Sequence, residues 1–206
     1  MAERGRDMPM GSPPRSIDFI FHNKIPKSGS STMKHLLKVL APENNFGLDH
    51  VRVIASDWHQ HSLLMKHVKK YQKKHPGLPH VMLKHHTFLN FSNFGFAQPT
   101  YINVVRNPVA QFASAYYFKR YGWELNGQER RGDEEDRDQT MDECVEQGRK
   151  ECLDTLPVLS KYFCGTHEYC HGYRHPETMM QAVQQAKINI IRNYYAIGVL
   201  GKSTYQ

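Results

Sequence analysis

Residues 17–32 read IDFIFHNKIPKSGSST, and they carry the strongest structural signal in the chain. Ile17 to Phe21 is a short apolar run ending at His22-Asn23, the pattern of a buried strand. The polar loop Pro26-Lys27-Ser28-Gly29-Ser30-Ser31-Thr32 follows. Beyond it Met33, Leu36, Leu37 and Leu40 recur at helical spacing, and Pro42 is expected to stop that helix. Strand, Gly/Ser loop and helix in this order suit a phosphate. The N–H groups of a helix N-terminus point outward and Gly29 permits close approach. Lys27 brings a positive charge, and the hydroxyls of Ser28, Ser30, Ser31 and Thr32 are further donors. A Ser-rich capped turn would look similar. In the ATP-type loop the lysine stands just before the last Ser/Thr; here Lys27 precedes the glycine, which argues against an ATP-using kinase.

Further along, Val51 to Ile54 is a strand candidate, and Asp57 can cap a helix running from Trp58 towards His75-Pro76-Gly77. That helix carries Lys66, Lys69, Lys70, Lys73 and Lys74, either a solvated basic face or a polyanion-binding one. His80 to Leu83 and Thr100 to Val105 are strand candidates, the second with the continuous apolar run of a central parallel strand. A helix over Pro108 to Tyr121 follows it. Strands alternating with helices predict an α/β fold, a doubly wound parallel sheet. Arg106 then falls at the carboxyl edge of the sheet, where open α/β sheets bind ligands, with Ser114 two turns into the next helix. A guanidinium there can hold a phosphate bidentately or cap a neighbouring helix, and Ser114 can add a hydrogen bond.

The segment from Glu129 to Asp138 holds six acidic and three basic residues and reads as a surface loop. A short helix near Met141 to Gly148, a longer one over Glu177 to Tyr194 and a strand over Tyr195 to Leu200 complete the pattern. Only six residues remain after that strand, which normally feeds another helix, so the architecture is expected to be incomplete at the C-terminus.

A length of 206 residues suits one domain with a real core, expected over residues 17–206 behind a disordered, Gly/Pro-rich leader at residues 1–16. No apolar run approaches the roughly 20 residues of a membrane span, and the N-terminus lacks a signal-peptide core. Residues 1–128 hold 17 Lys/Arg against 7 Asp/Glu, while residues 129–206 hold 10 against 13. A basic first part suits a polyanion, a phosphorylated cofactor or a nucleic acid, and charge alone does not choose among them. The four cysteines, Cys144, Cys152, Cys164 and Cys170, cluster in one subregion, residues 139–175. Gaps of seven and five residues are wider than the usual zinc-ligand pairs, which favours disulfides in one of three connectivities and therefore an oxidising compartment.

The phosphate loop and the Arg106/Ser114 pair, in this order and topology, resemble the P-loop-type sulfotransferases that use 3′-phosphoadenylyl sulfate (PAPS). The segments NKIPKSGSST, HHTFLNFSNFG, QPTYINVVRNPV, SAYYFKRYGW, DECVEQGRKEC, YFCGTHEYC and QAKINIIRNYYAIGVL narrow the resemblance to the glycosaminoglycan uronosyl 2-O-sulfotransferases. They recur in family order and span nearly everything from Ile17 to Leu200.

The resemblance implies transfer of a sulfuryl group from PAPS to the 2-hydroxyl of a uronic acid, with dermatan or chondroitin sulfate favoured over heparan sulfate. It assigns Lys27 and the loop residues 28–32 to the 5′-phosphosulfate and Arg106 with Ser114 to the 3′-phosphate. His85 becomes the catalytic base, through alignment on Phe88-Leu89-Asn90-Phe91, while His86 stands where the family has an apolar residue. Lys27 would also stabilise the charge on the leaving phosphate, so no metal is expected. Lys24, Arg130 and Arg131 match acceptor-binding arginine positions. The cysteines match two local disulfides, Cys144–Cys152 and Cys164–Cys170, and the sequon at Asn90 is usable in a secretory lumen.

The partner implied is a polysaccharide and not a nucleic acid, with an oligomer left open. The compartment implied is the Golgi lumen, reached through a membrane anchor that this chain lacks. Two departures stand out: Asn107 replaces the family's Asp, and relatives extend past both ends. The alternative is a truncated, non-catalytic polyanion-binding or partner-binding derivative of the same fold.

Overall fold

The computed structural model describes residues 15–50, 58–122, 138–153, 158–171 and 175–201. Its centre is a five-stranded, all-parallel sheet of β1 (Arg15–Asn23), β2 (Gly47–His50), β3 (His80–Lys84), β4 (Gln98–Arg106) and β5 (Tyr194–Leu200), in the order β2-β3-β1-β4-β5. The chain steps outward from β1 to β2, returns to β3, and then crosses β1 to reach β4. The carboxyl ends of β1 and β4 therefore flank the point where strand order reverses, the usual ligand crevice of such sheets. This is the expected doubly wound sheet.

The helices are α1 (Ser30–Glu43), α2 (Trp58–Lys74), α3 (Pro108–Tyr117), α4 (Met141–Glu146), α5 (Lys150–Leu153), α6 (Val158–Cys164) and α7 (Pro176–Asn193). They cover both faces. Leu37 of α1 packs on Val81 and Leu83, while Leu64, Met65 and Val68 of α2 join Phe163 of α6 and Ala182 and Ala186 of α7 over an aromatic core. Phe19, Phe21, Phe91 and Tyr101 form its centre, with ring centroids 5.3–6.5 Å apart. None of these helices is long and apolar enough to cross a membrane.

Several boundaries differ from the sequence reading. β1 starts two residues before Ile17, because Arg15 and Ser16 pair with Gln98 and Pro99 ahead of a register shift. The rest of the expected leader, residues 1–14, lies outside the described residues. The strand after α1 is Gly47–His50, paired with β3, and the candidate at residues 51–54 lies outside the described residues, as does Asp57. Pro42 sits inside the last turn of α1 and does not stop it: its missing N–H costs one intrahelical hydrogen bond, and only Glu43 follows it before the helix closes at Asn44, whose N–H reaches the Leu40 carbonyl at 3.0 Å. α3 is shorter than expected and passes into a π-helical turn over Phe118–Gly122. The disulfides are Cys144–Cys152 and Cys164–Cys170.

Candidate active site

The loop after β1 is shaped by two left-handed residues, Lys27 at φ 61° and Gly29 at φ 78°. Gly29 tolerates this without a Cβ penalty, whereas Lys27 stores backbone strain of about 1–3 kcal/mol, a feature typical of functional turns. Gly29 is the N-cap of α1 and, among the described residues, no side chain caps that terminus; the first contact within the helix is the Met33 N–H to the Gly29 carbonyl at 3.0 Å. The N–H groups of the first turn are thus left for an outside acceptor. Ser28 adds to this. It is buried, and its hydroxyl has no hydrogen-bond partner among the described residues. A buried orphan hydroxyl beside an uncapped helix start fits a phosphate or sulfate oxygen.

β4 and α3 clamp the same loop. Arg106, at the end of β4, points its Nη1 at the Lys27 carbonyl from 3.5 Å, and Gln111 donates to the Pro26 carbonyl at 2.8 Å. The Lys27 ammonium lies 3.8 Å from the centroid of the Phe118 ring, a cation–π contact. Burial, and then the Arg106 charge, lower the Lys27 pKa. Two cations held this close favour an anion between them. Ser114 is half-buried on α3, on the helix that Arg106 leads into. Asn107 accepts the N–H groups of Val109 at 3.0 Å and Ala110 at 3.2 Å. An amide oxygen caps α3 here as a carboxylate would, so the departure at this position leaves the helix start intact.

The end of β3 supplies the two adjacent histidines, and the structure separates them. His85 is half-buried, and its Nδ1 lies 3.0 Å from the Lys24 carbonyl. A carbonyl only accepts, so Nδ1 carries the proton and Nε2 keeps a lone pair. Burial first, and the nearby Lys24 charge second, push the His85 pKa down, which keeps the ring neutral at neutral pH. His86 faces the core: it donates from Nδ1 to the Thr87 carbonyl at 2.7 Å, its ring lies tilted against that of His61 with centroids 5.0 Å apart, and burial lowers its pKa to about 4.

Lys24 is buried at the floor of the site. Its Nζ donates to His50 Nε2 at 2.9 Å, its N–H to the Lys84 carbonyl at 2.7 Å, and desolvation lowers its pKa. Among the described residues, Lys24, Lys27 and Arg106 pair with no carboxylate; the two ion pairs, His67–Asp49 and Arg120–Glu151, do not involve them. The described part of the site is accordingly cationic and carboxylate-poor, with the neutral His85 imidazole beside Lys24. Arg130 and Arg131 lie outside the described residues.

Sequence reasoning missed what holds this floor in place. Asn103 of β4 donates to the Asn23 backbone carbonyl at 2.7 Å and to its Oδ1 at 2.8 Å, and Tyr194 of β5 donates to the same Oδ1 at 3.0 Å. Asn23 in turn donates to the Tyr162 carbonyl at 3.1 Å. Polar residues at 23 and 103 interrupting apolar strands were the available signal. Gln111 and Phe118 carried none. Asn90 is exposed and caps the 3-10 turn Phe91–Phe94 by accepting the Ser92 N–H at 3.1 Å.

Comparison with known proteins agrees with this geometry. The uronyl 2-sulfotransferase of Mus musculus is 34% identical over 203 residues, covering 92% of this chain and 47% of the relative. The human protein of that name is 34% identical, with 92% and 48% covered. The heparan sulfate 2-O-sulfotransferase of Caenorhabditis elegans is 31% identical over 199 residues, with 92% and 58% covered. The chain thus spans about half the length of these relatives. A family model described as the sulfotransferase family matches residues 16–198, which take in the loop after β1, His85, Arg106 and all of the sheet but the first residue of β1 and the last two of β5, and the chain belongs to that family.

Proposed function

We propose that the protein transfers the sulfuryl group of PAPS to the 2-hydroxyl of a uronic acid in a glycosaminoglycan, dermatan or chondroitin sulfate in preference to heparan sulfate. The observation that carries this reading is the neutral His85, its Nδ1–H tied to the Lys24 carbonyl and its Nε2 without a partner among the described residues, beside a cationic loop that no described side chain caps. Lys27, the Ser28 hydroxyl and the first-turn N–H groups of α1 hold the 5′-phosphosulfate; Arg106 and Ser114 hold the 3′-phosphate. PAPS supplies an activated sulfuryl group when bound.

His85 Nε2 takes the proton of the attacking 2-hydroxyl as its oxygen bonds to sulfur. The bond from sulfur to the phosphate oxygen breaks, and Lys27 with the loop N–H groups neutralises the charge left on that phosphate. The products are the sulfated sugar and 3′-phosphoadenosine 5′-phosphate. The resemblance to uronyl 2-sulfotransferases favours dermatan or chondroitin sulfate as acceptor. Lys24, Arg130 and Arg131 are its proposed cationic contacts. The two disulfides favour an oxidising lumen, the Golgi by analogy with relatives, where Asn90 could carry a glycan.

The test is transfer of labelled sulfate from PAPS to a panel of desulfated glycosaminoglycans, followed by disaccharide analysis. Label on the 2-position of uronic acids in dermatan or chondroitin chains supports the reading. No transfer, with polysaccharide still bound, supports the non-catalytic polyanion-binding alternative.

A further inference from the structure

α2 leaves a basic face that the chemistry above does not use. Lys66, Lys69, Lys70, Lys73 and Lys74 are all exposed, and the helix contains no acidic residue. Among the described residues none of these lysines forms an ion pair. Among the described residues, the carboxylate that reaches the helix is Asp49, taken up by His67 at 2.6 Å. Residues three and four apart on a helix are neighbours, so Lys66–Lys70, Lys69–Lys73 and Lys70–Lys74 repel one another along a row about 12 Å long at a rise of about 1.5 Å per residue. Only the last two lysines gain from the helix dipole. An uncompensated row of this kind is relieved by a polymer with regularly spaced anions.

We propose that the lysine face of α2 is a second binding surface for the sulfated polysaccharide, engaging the chain outside the catalytic cleft. The proposal rests on the reading of the acceptor given above. Because β2 and β3 are parallel, α2 starts at the carboxyl edge of the sheet, where His85 and the phosphate loop lie, and ends at the opposite edge. A long chain leaving the cleft can follow it.

Two other polyanions fit less well. A membrane surface needs an apolar face to insert, and Leu64, Met65 and Val68 are already buried in the core, which leaves Leu63 as a single exposed apolar side chain among those described on α2. A single-stranded nucleic acid needs free aromatic faces, and Tyr71 is half-buried between His75 and His80, at 4.7 and 4.8 Å.

The experiment compares the full chain with a variant carrying Lys66→Gln, Lys70→Gln and Lys73→Gln together, since glutamine preserves helix propensity. Binding of long dermatan sulfate and of a short oligosaccharide is measured across salt concentrations, alongside sulfate transfer to the short acceptor. The expected result is an affinity for the long chain lowered about tenfold or more, with a shallower salt dependence, and an unchanged rate on the short acceptor. Equal affinity of the two proteins for the long chain overturns the proposal. Loss of binding to phosphatidylserine vesicles or single-stranded DNA, with polysaccharide binding unchanged, overturns it as well. Absence of transfer by the unaltered protein counts against the catalytic reading alone if the lysine-dependent binding persists.

Discussion

Replacing His86 by leucine should make the protein less sensitive to acid while leaving its chemistry intact. The His86 ring is buried, its Nδ1 donates to the Thr87 carbonyl, and its Nε2 has no hydrogen-bond partner among the described residues. Burial holds its pKa near 4, against 6.5 for an exposed histidine. Below pH 6.5 the unfolded chain therefore binds a proton that the folded chain refuses, and stability falls as the pH drops from about 6.5 towards 4. At about 1.4 kcal/mol per pH unit, His86 alone accounts for about 2 kcal/mol of the loss between neutral pH and pH 5.

Leucine removes that contribution. At pH 7 it forfeits one local hydrogen bond, about 1 kcal/mol, and removes an orphaned buried nitrogen of about 1–3 kcal/mol, so the variant should be at least as stable. Urea denaturation at pH 7 and pH 5 measures both effects. With a slope of roughly 2 kcal/mol per M, the fall in midpoint between the two pH values should be about 1 M smaller for His86→Leu than for the unaltered protein. Equal pH dependence of the two proteins would mean that His86 is protonated or hydrated in the native fold, and would refute the reasoning.

Two further substitutions probe the floor and the loop. Asn103→Ala leaves the Asn23 carbonyl and Oδ1 short of a buried donor, so denaturant titration should find a loss of about 3 kcal/mol; a loss below about 1 kcal/mol would count against the network. Lys27→Ala should fold normally yet lose thermal protection by 3′-phosphoadenosine 5′-phosphate, which at 100 times its Kd is expected to add about 2.7 kcal/mol to the unaltered protein; equal protection would remove Lys27 from the donor site.

The parts of the fold that were legible are those whose signal is local. Ile17 to Thr32 and Thr100 to Arg106 each place a strand and the polar residues at its carboxyl end within a few residues, and the structure joins them at the sheet's reversal point. β2 carries no signal of its own, because Gly47–His50 has no apolar run: it is an edge strand, half-buried along its length, and register with β3 rather than composition makes it a strand. The Asn23–Asn103–Tyr194 network was beyond reach for a different reason. Its members are separated by 80 and 171 residues, and the polar breaks at 23 and 103 carry no mark of their pairing. The histidine pair lies between these cases. The resemblance singles out His85, but only the contacts beyond the end of β3 separate the pair: His85 turns to the Lys24 carbonyl, while His86 turns to the Thr87 carbonyl and the His61 ring in the core.

Single-turnover sulfate transfer by His85→Gln, run beside binding of 3′-phosphoadenosine 5′-phosphate, addresses the proposed chemistry at its reacting atom. Loss of the base should slow transfer by about 10²–10⁴-fold with donor-site affinity unchanged. Transfer at an undiminished rate with that affinity retained would contradict the role of His85.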